Sequence, residues 1–140
     1  MAGALAAALA SLVLAGPAAA QTSIQLDLTV CLASDEPGPI DPRAERIDRR
    51  LRREFRYESL QLLDSKRERV AVDSVLSLGL PDGRQARVRP LSIDERGALL
   101  AVDIEGAVKV DARARSGHLL VFGAGRHAGG RLVVSIEPRF

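Results

Sequence analysis

The sequence contains no tryptophan, one tyrosine and three phenylalanines in 140 residues. Sugar-binding surfaces and single-stranded nucleic-acid platforms both need stacking faces, and Phe55, Tyr57, Phe122 and Phe140 are too few to supply them. No nucleic-acid partner is therefore expected. The same scarcity obliges the core to be aliphatic, built from Leu, Val, Ile and Ala. Cysteine is limited to Cys31, so no intrachain disulfide can form and stability has to come from packing. That thiol is read as a small, part-buried apolar residue, with an intermolecular disulfide as the alternative in an oxidising compartment. A large charge of one sign is also lacking: 20 Lys+Arg stand against 18 Asp+Glu, a net charge of +2. All the cations except Lys66 and Lys109 are Arg, which reads as coding bias, although a guanidinium is the better bidentate partner for carboxylate or phosphate.

Motifs for catalysis are missing too. There is no Gly-x-Ser-x-Gly and no His-Glu-x-x-His. The adjacent carboxylates Asp35-Glu36 and Asp94-Glu95 lie in turn-like stretches, where solvated charge is the default. His118 and His127 are separated by the apolar run Leu119–Phe122, which places their imidazoles at opposite ends of a hairpin. No Cys/His cluster has zinc-ligand spacing. No catalytic residue, cofactor site or metal site is assigned.

What is present begins with a leader. Met1 to Ala20 carries no charged side chain, Leu5 to Leu14 is apolar and helix-forming, and Gly16-Pro17 breaks it. Ala18-Ala19-Ala20 supplies small residues for cleavage, so residues 1–20 are expected to be a signal peptide, cleaved before Gln21. The n-region has no Lys or Arg, and an uncleaved anchor is the alternative; its Ala-rich apolar run would make a weak span. Residues 21–140 are expected to form a single β-rich domain that is periplasmic or secreted.

In that portion Ile24, Leu26, Leu28, Val30 and Leu32 alternate with Gln25, Asp27, Thr29 and Cys31, the period of a half-buried strand. Pro37-Gly38-Pro39 then forbids a ladder. Asp41 and Pro42 look like a cap and a first helical position, and Ala44, Ile47, Leu51 and Phe55 follow at helical spacing. An amphipathic helix over 42–55 is expected. Leu60, Leu62 and Leu63 read as a strand with a phase change. Arg69 to Leu80 reads as one strand with Val70, Val72, Leu76, Leu78 and Leu80 on one side. Pro81-Asp82-Gly83 is a turn, and Pro90 suits an edge or a bulge. Val108 to Arg115 alternates most cleanly. Leu119 to Phe122 is apolar on both faces, as a central strand would be, and Gly123 to Gly130 reads as a loop before Leu132, Val134 and Ile136. The recurring turns predict a mainly β chain: an antiparallel β-sandwich or a small barrel-like meander with one N-terminal helix.

Gly123-Ala124-Gly125-Arg126-His127-Ala128 fits G-x-G-x-x-A after an apolar strand. Dinucleotide binding needs a helix to begin there, and a strand pattern follows instead. The motif is read as a hairpin loop with Arg126 and His127 at its tip, the first choice for a contact surface. The second is the helix, where Arg43, Arg46, Arg49, Arg50, Arg52, Arg53 and Arg56 outnumber Asp41, Glu45, Asp48 and Glu54. Arg49, Arg52 and Arg53 are its candidate contacts, toward an acidic protein or, peripherally, anionic lipid.

From Phe55 to Pro138 the chain resembles small, secreted β-rich proteins of high-GC bacteria. The resemblance rests on Phe55-Arg56-Tyr57-Glu58-Ser59, on Leu80-Pro81-Asp82-Gly83-Arg84, and on Leu120-Val121-Phe122-Gly123-Ala124-Gly125-Arg126-His127. The last hairpin is similar to the gate hairpins of secretins, where a glycine pair follows an apolar strand. The resemblance implies an envelope setting and no activity. Taken together, the residues point to a non-catalytic protein–protein interaction or accessory module of an envelope assembly. A carrier of a small apolar ligand between the sheets is one alternative, and a hydrolase with a convergent acidic/His site is the other.

Overall fold

Alternating side chains can bury only one face of a strand, and here two sets of strands bury theirs against each other. The computed structural model describes residues 22–140; the expected leader lies outside them. Eight strands form two four-stranded antiparallel sheets. They are β1 (Ser23–Ser34), β2 (Ser59–Ala71), β3 (Leu76–Gly79), β4 (Gln85–Asp94), β5 (Gly97–Ile104), β6 (Val108–Ala114), β7 (Leu120–His127) and β8 (Gly130–Arg139). The first sheet has the order β2-β1-β8-β7 and the second β3-β4-β5-β6. Among the described residues the chain is a β-sandwich with no closed barrel, so of the two architectures expected from the turns the sandwich is the one found.

The shared interior is aliphatic. Ile24, Leu26, Leu28 and Val30 of β1 meet Leu132, Val134 and Ile136 of β8 and, across the gap, Val88, Leu100, Val102 and Ile104 of the second sheet. A second cluster lies on the outer face of the first sheet. There Cys31, Leu60 and Val133 are covered by Ala44, Ile47, Leu51 and Tyr57. The covering element is a 3-10 turn, Pro42–Ala44, that runs into α1 (Glu45–Leu51). Asp41 caps it by accepting the Arg43 N–H at 3.0 Å, and Pro42 stands just inside.

The helix is shorter than the spacing predicts. It ends at Leu51, and Phe55 leaves the apolar stripe to stand 41% exposed. The chain turns back so that the Tyr57 hydroxyl donates to the carbonyl oxygen and carboxylate of Asp48, while Arg52 lies over the Tyr57 ring at 5.1 Å. Those contacts fix the exit of α1 without a glycine.

Bulges account for the irregular stretches. An extra residue in β2 opposite Val30/Cys31 turns Leu60 and Leu62 toward the helix and Leu63 toward the interior, which is the phase change legible in sequence. Pro90 adjoins a second bulge in β4, past the end of the short β3. Three expectations need correction. Arg69 to Leu80 is two strands, because Asp73 takes a left-handed conformation (φ 70°) and the chain passes from one sheet to the other. β7 is an edge strand; its outer face is apolar because Leu119 and Val121 pack against the cluster under the helix. Gly123 to Gly130 is no loop: β7 continues through a bulge to His127, and Ala128 and Gly129, both at positive φ, make a two-residue turn.

Candidate functional site

The helix covers only part of the outer face of the first sheet, and two grooves flank it. The larger has a volume of about 550 Å³ and lies between the α1 exit and the β7–β8 hairpin. Leu51, Phe55 and Tyr57 form one wall; Gly123, Gly125, Gly130 and Val133 form the floor; Arg56, Arg126 and Arg131 stand around it. Gly123 pairs with Val133 in an ordinary strand conformation, and a Cβ there would meet nothing within 4 Å. No backbone constraint requires that glycine. Its missing side chain is what keeps the floor open. Gly130 differs, because a Cβ there would collide with the Ala33 carbonyl oxygen of β1.

The electrostatics of this groove are uneven. Asp35 and Glu54 also line it, and Glu54 is held by Arg50 at 3.9 Å. Among the described residues Arg56, Arg126 and Arg131 have no ion-pair partner. Unpaired guanidinium groups beside apolar walls are suited to a carboxylate-bearing ligand with some apolar surface.

The β7 bulge that places Gly125 and Arg126 is held from the opposite sheet. Arg84, at the start of β4, donates to the Ala124 carbonyl oxygen, to the Glu105 carbonyl oxygen at 2.7 Å and to the Asp82 carboxylate at 2.7 Å. Burial works against ionisation of Asp82, but the hydrogen bonds from Arg84 outweigh it and hold the carboxyl below its usual range. His127 adds a weaker pull in the same direction. The Leu80–Arg84 and Leu120–His127 motifs, far apart in sequence, are thus one contact.

The second groove, about 310 Å³, is polar. Asp27 and Glu137 face each other across β1 and β8 there. Arg67 holds Asp27 at 2.8 Å; Arg46 at 2.6 Å and Arg139 at 3.0 Å hold Glu137. Arginine holds Glu137 through both carboxylate oxygens and Asp27 through one, and neither histidine lines either groove.

The residues singled out from sequence divide. Arg126 lines the larger groove, from a strand instead of a loop tip, whereas His127 does not line it. Arg49 pairs with Glu45 at 3.9 Å, and Arg52 pairs with Asp48 at 2.8 Å while stacking on Tyr57. Arg53 is exposed in the turn after α1. None of these three lines either groove. Sequence reasoning missed Gly123 as a floor, Arg56 and Arg131 as its rim, and Arg84 as the support. Strand parity placed Gly123 and Val133 on a common face only once their register was known. Cys31 lies beneath the helix at 1% exposure, and its thiol is pushed up to about 12, mainly by burial and next by the charge of Asp41. A disulfide to another chain would require α1 to lift away. Comparison of the chain with family models, curated proteins and solved structures finds no match in any of the three.

Proposed function

We propose that this chain is a non-catalytic interaction module of the cell envelope, and that the larger groove receives an extended, acidic segment of a protein partner. One observation carries the reading: three arginines without carboxylate partners surround a groove with a glycine floor and an apolar wall. An extended segment suits a floor made of strands, and Leu51, Phe55 and Tyr57 offer its apolar side chains a surface. The unpaired guanidinium groups supply the preference for carboxylates. The uncharged, apolar leader supports an exported setting. Retention of two alternatives has less support. The space between the sheets is filled by side chains such as Leu26, Leu28, Leu100 and Leu132 at 0% exposure, which leaves no argument for a ligand carried there. The paired Asp27 and Glu137 are neutralised by three arginines, which is an arrangement for holding strands and helix together.

A panel of short extended peptides, acidic and matched neutral, tests the proposal by fluorescence polarisation. Acidic, partly apolar peptides should bind, more weakly as salt rises. Gly123→Leu, which fills the floor, should remove binding without lowering the melting temperature. Arg126→Glu should weaken it about tenfold or more. Equal binding of acidic and neutral peptides, or binding indifferent to Gly123→Leu, would overturn the reading. So would capture of anionic lipid vesicles through Arg49, Arg52 and Arg53 in place of any peptide.

A further inference from the structure

A sandwich of two open sheets has four edge strands, here β2, β7, β3 and β6. Unpaired edges invite other strands, and proteins blunt them with charged side chains, charge facing inward, bulges or brevity. β2 carries Lys66 and Glu68 opposite Leu28 and Leu26, on the face that looks into the sandwich, and Lys66 Nζ donates to the Ser77 carbonyl oxygen at 3.1 Å. β7 is bulged between Gly123 and Arg126. β3 is four residues long. β6 has no inward charge, no bulge and no such brevity, and its outward charges, Lys109, Asp111 and Arg113, are of both signs. It pairs with β5 over seven residues without a register shift, contains no glycine or proline, and shows Val108, Val110, Ala112 and Ala114 on its inward face. At its centre Val110 stands 42% exposed, one of the four large apolar side chains on the surface of the described residues.

We infer that β6 pairs antiparallel with β6 of a second copy of this chain, about a two-fold axis through Val110. The charges choose the register. With Val110 opposite its counterpart, Lys109 faces Asp111 twice by symmetry, and Val108 faces Ala112. Centring on Asp111 sets Asp111 against itself and Lys109 against Arg113; centring on Lys109 sets two Lys109 side chains together; centring on Ala112 sets Asp111 against Arg113, which Asp94 already holds at 3.4 Å, and Lys109 against Arg115. Among the described residues neither Lys109 nor Asp111 has an ion-pair partner within the chain. Pairing at Val110 joins two four-stranded sheets into one of eight strands and covers both exposed valines. A single strand pair buries little surface, at the lower end of stable interfaces, so the dimer is weak and concentration-dependent. The groove on the other sheet takes no part, so this inference and the proposed peptide binding fail or stand separately.

Sedimentation of the protein produced from the full-length sequence, over a wide concentration series, tests it. The average mass should rise from monomer toward dimer with concentration. Lys109→Asp and Asp111→Lys each replace two attractive cross-strand pairs by two repulsive ones and should weaken association about tenfold. The double variant, Lys109→Asp with Asp111→Lys, restores complementarity and should restore the dimer. Both side chains are exposed, so the variants keep the fold, and a thermal melt of each confirms that. A monomer at every concentration, self-association that ignores the single reversals, or failure of the double variant to recover would each overturn the pairing.

Discussion

Arg84 directs its guanidinium at acceptors from two turns and a strand bulge: the Asp82 carboxylate after β3, the Glu105 carbonyl oxygen after β5 and the Ala124 carbonyl oxygen in β7. Those segments belong to both sheets, so one side chain ties the layers together at that end of the sandwich. Its fixed fork is suited to several acceptors at once, which a lysine would not match. Arg84→Met keeps the apolar stem and leaves part-buried carbonyl groups without a donor. The variant should be less stable by roughly 1–3 kcal/mol in urea denaturation. Amide exchange should quicken first at Gly123 to Arg126, where the bulge loses its support. An unchanged urea midpoint would show that water replaces the guanidinium without loss.

At the scale of elements, the start of the 3-10 turn that runs into α1 depends on one carboxylate. Arg43 bonds the Asp41 carboxylate through its side chain and its backbone N–H and holds that carboxyl down at about 2. A depressed folded value means that the stabilisation is complete above the unfolded carboxyl range near pH 4. It is lost as pH falls through about 2. Titration of the Asp41 carboxyl by NMR should therefore show a midpoint well below an ordinary aspartate, and Arg43→Ala should return it toward the ordinary value. A wild-type midpoint near 4 would refute the cap. Elements also show what a sequence discloses. Val108 to Ala114 alternates cleanly and is a strand, because a regular edge has nothing to disturb its period. Val70 and Leu76 to Leu80 share parity although a sheet-to-sheet passage separates them, because both sides of that passage face one interior. Leu119 to Phe122 imitates a central strand, because a helix distant in sequence covers its outer face. The groove was legible only through Arg126. Its floor and rim depend on the β7–β8 register and on where α1 stops, and neither is written in local pattern.

For the whole molecule, the decisive pairing is between β1 and β8, side by side in the middle of the first sheet. β8 also holds β7, and its Leu132, Val134 and Ile136 are fully buried in the shared interior. Truncation after Gly129 should leave β1 with an unpaired edge inside the sheet and β7 with no sheet at all. Circular dichroism of that variant should lose its cooperative thermal transition, whereas a retained transition would mean that the remaining strands can close a core on their own.

The neighbourhood of β1 and β8 has a bearing on timing. A chain synthesised from its N-terminus presents β1 well before the partner that completes it, β1 ending at Ser34 and β8 starting only at Gly130 and closing at Arg139. Until that last segment arrives, β1 lacks the neighbour on one of its two sides, so the first sheet is completed only at the close.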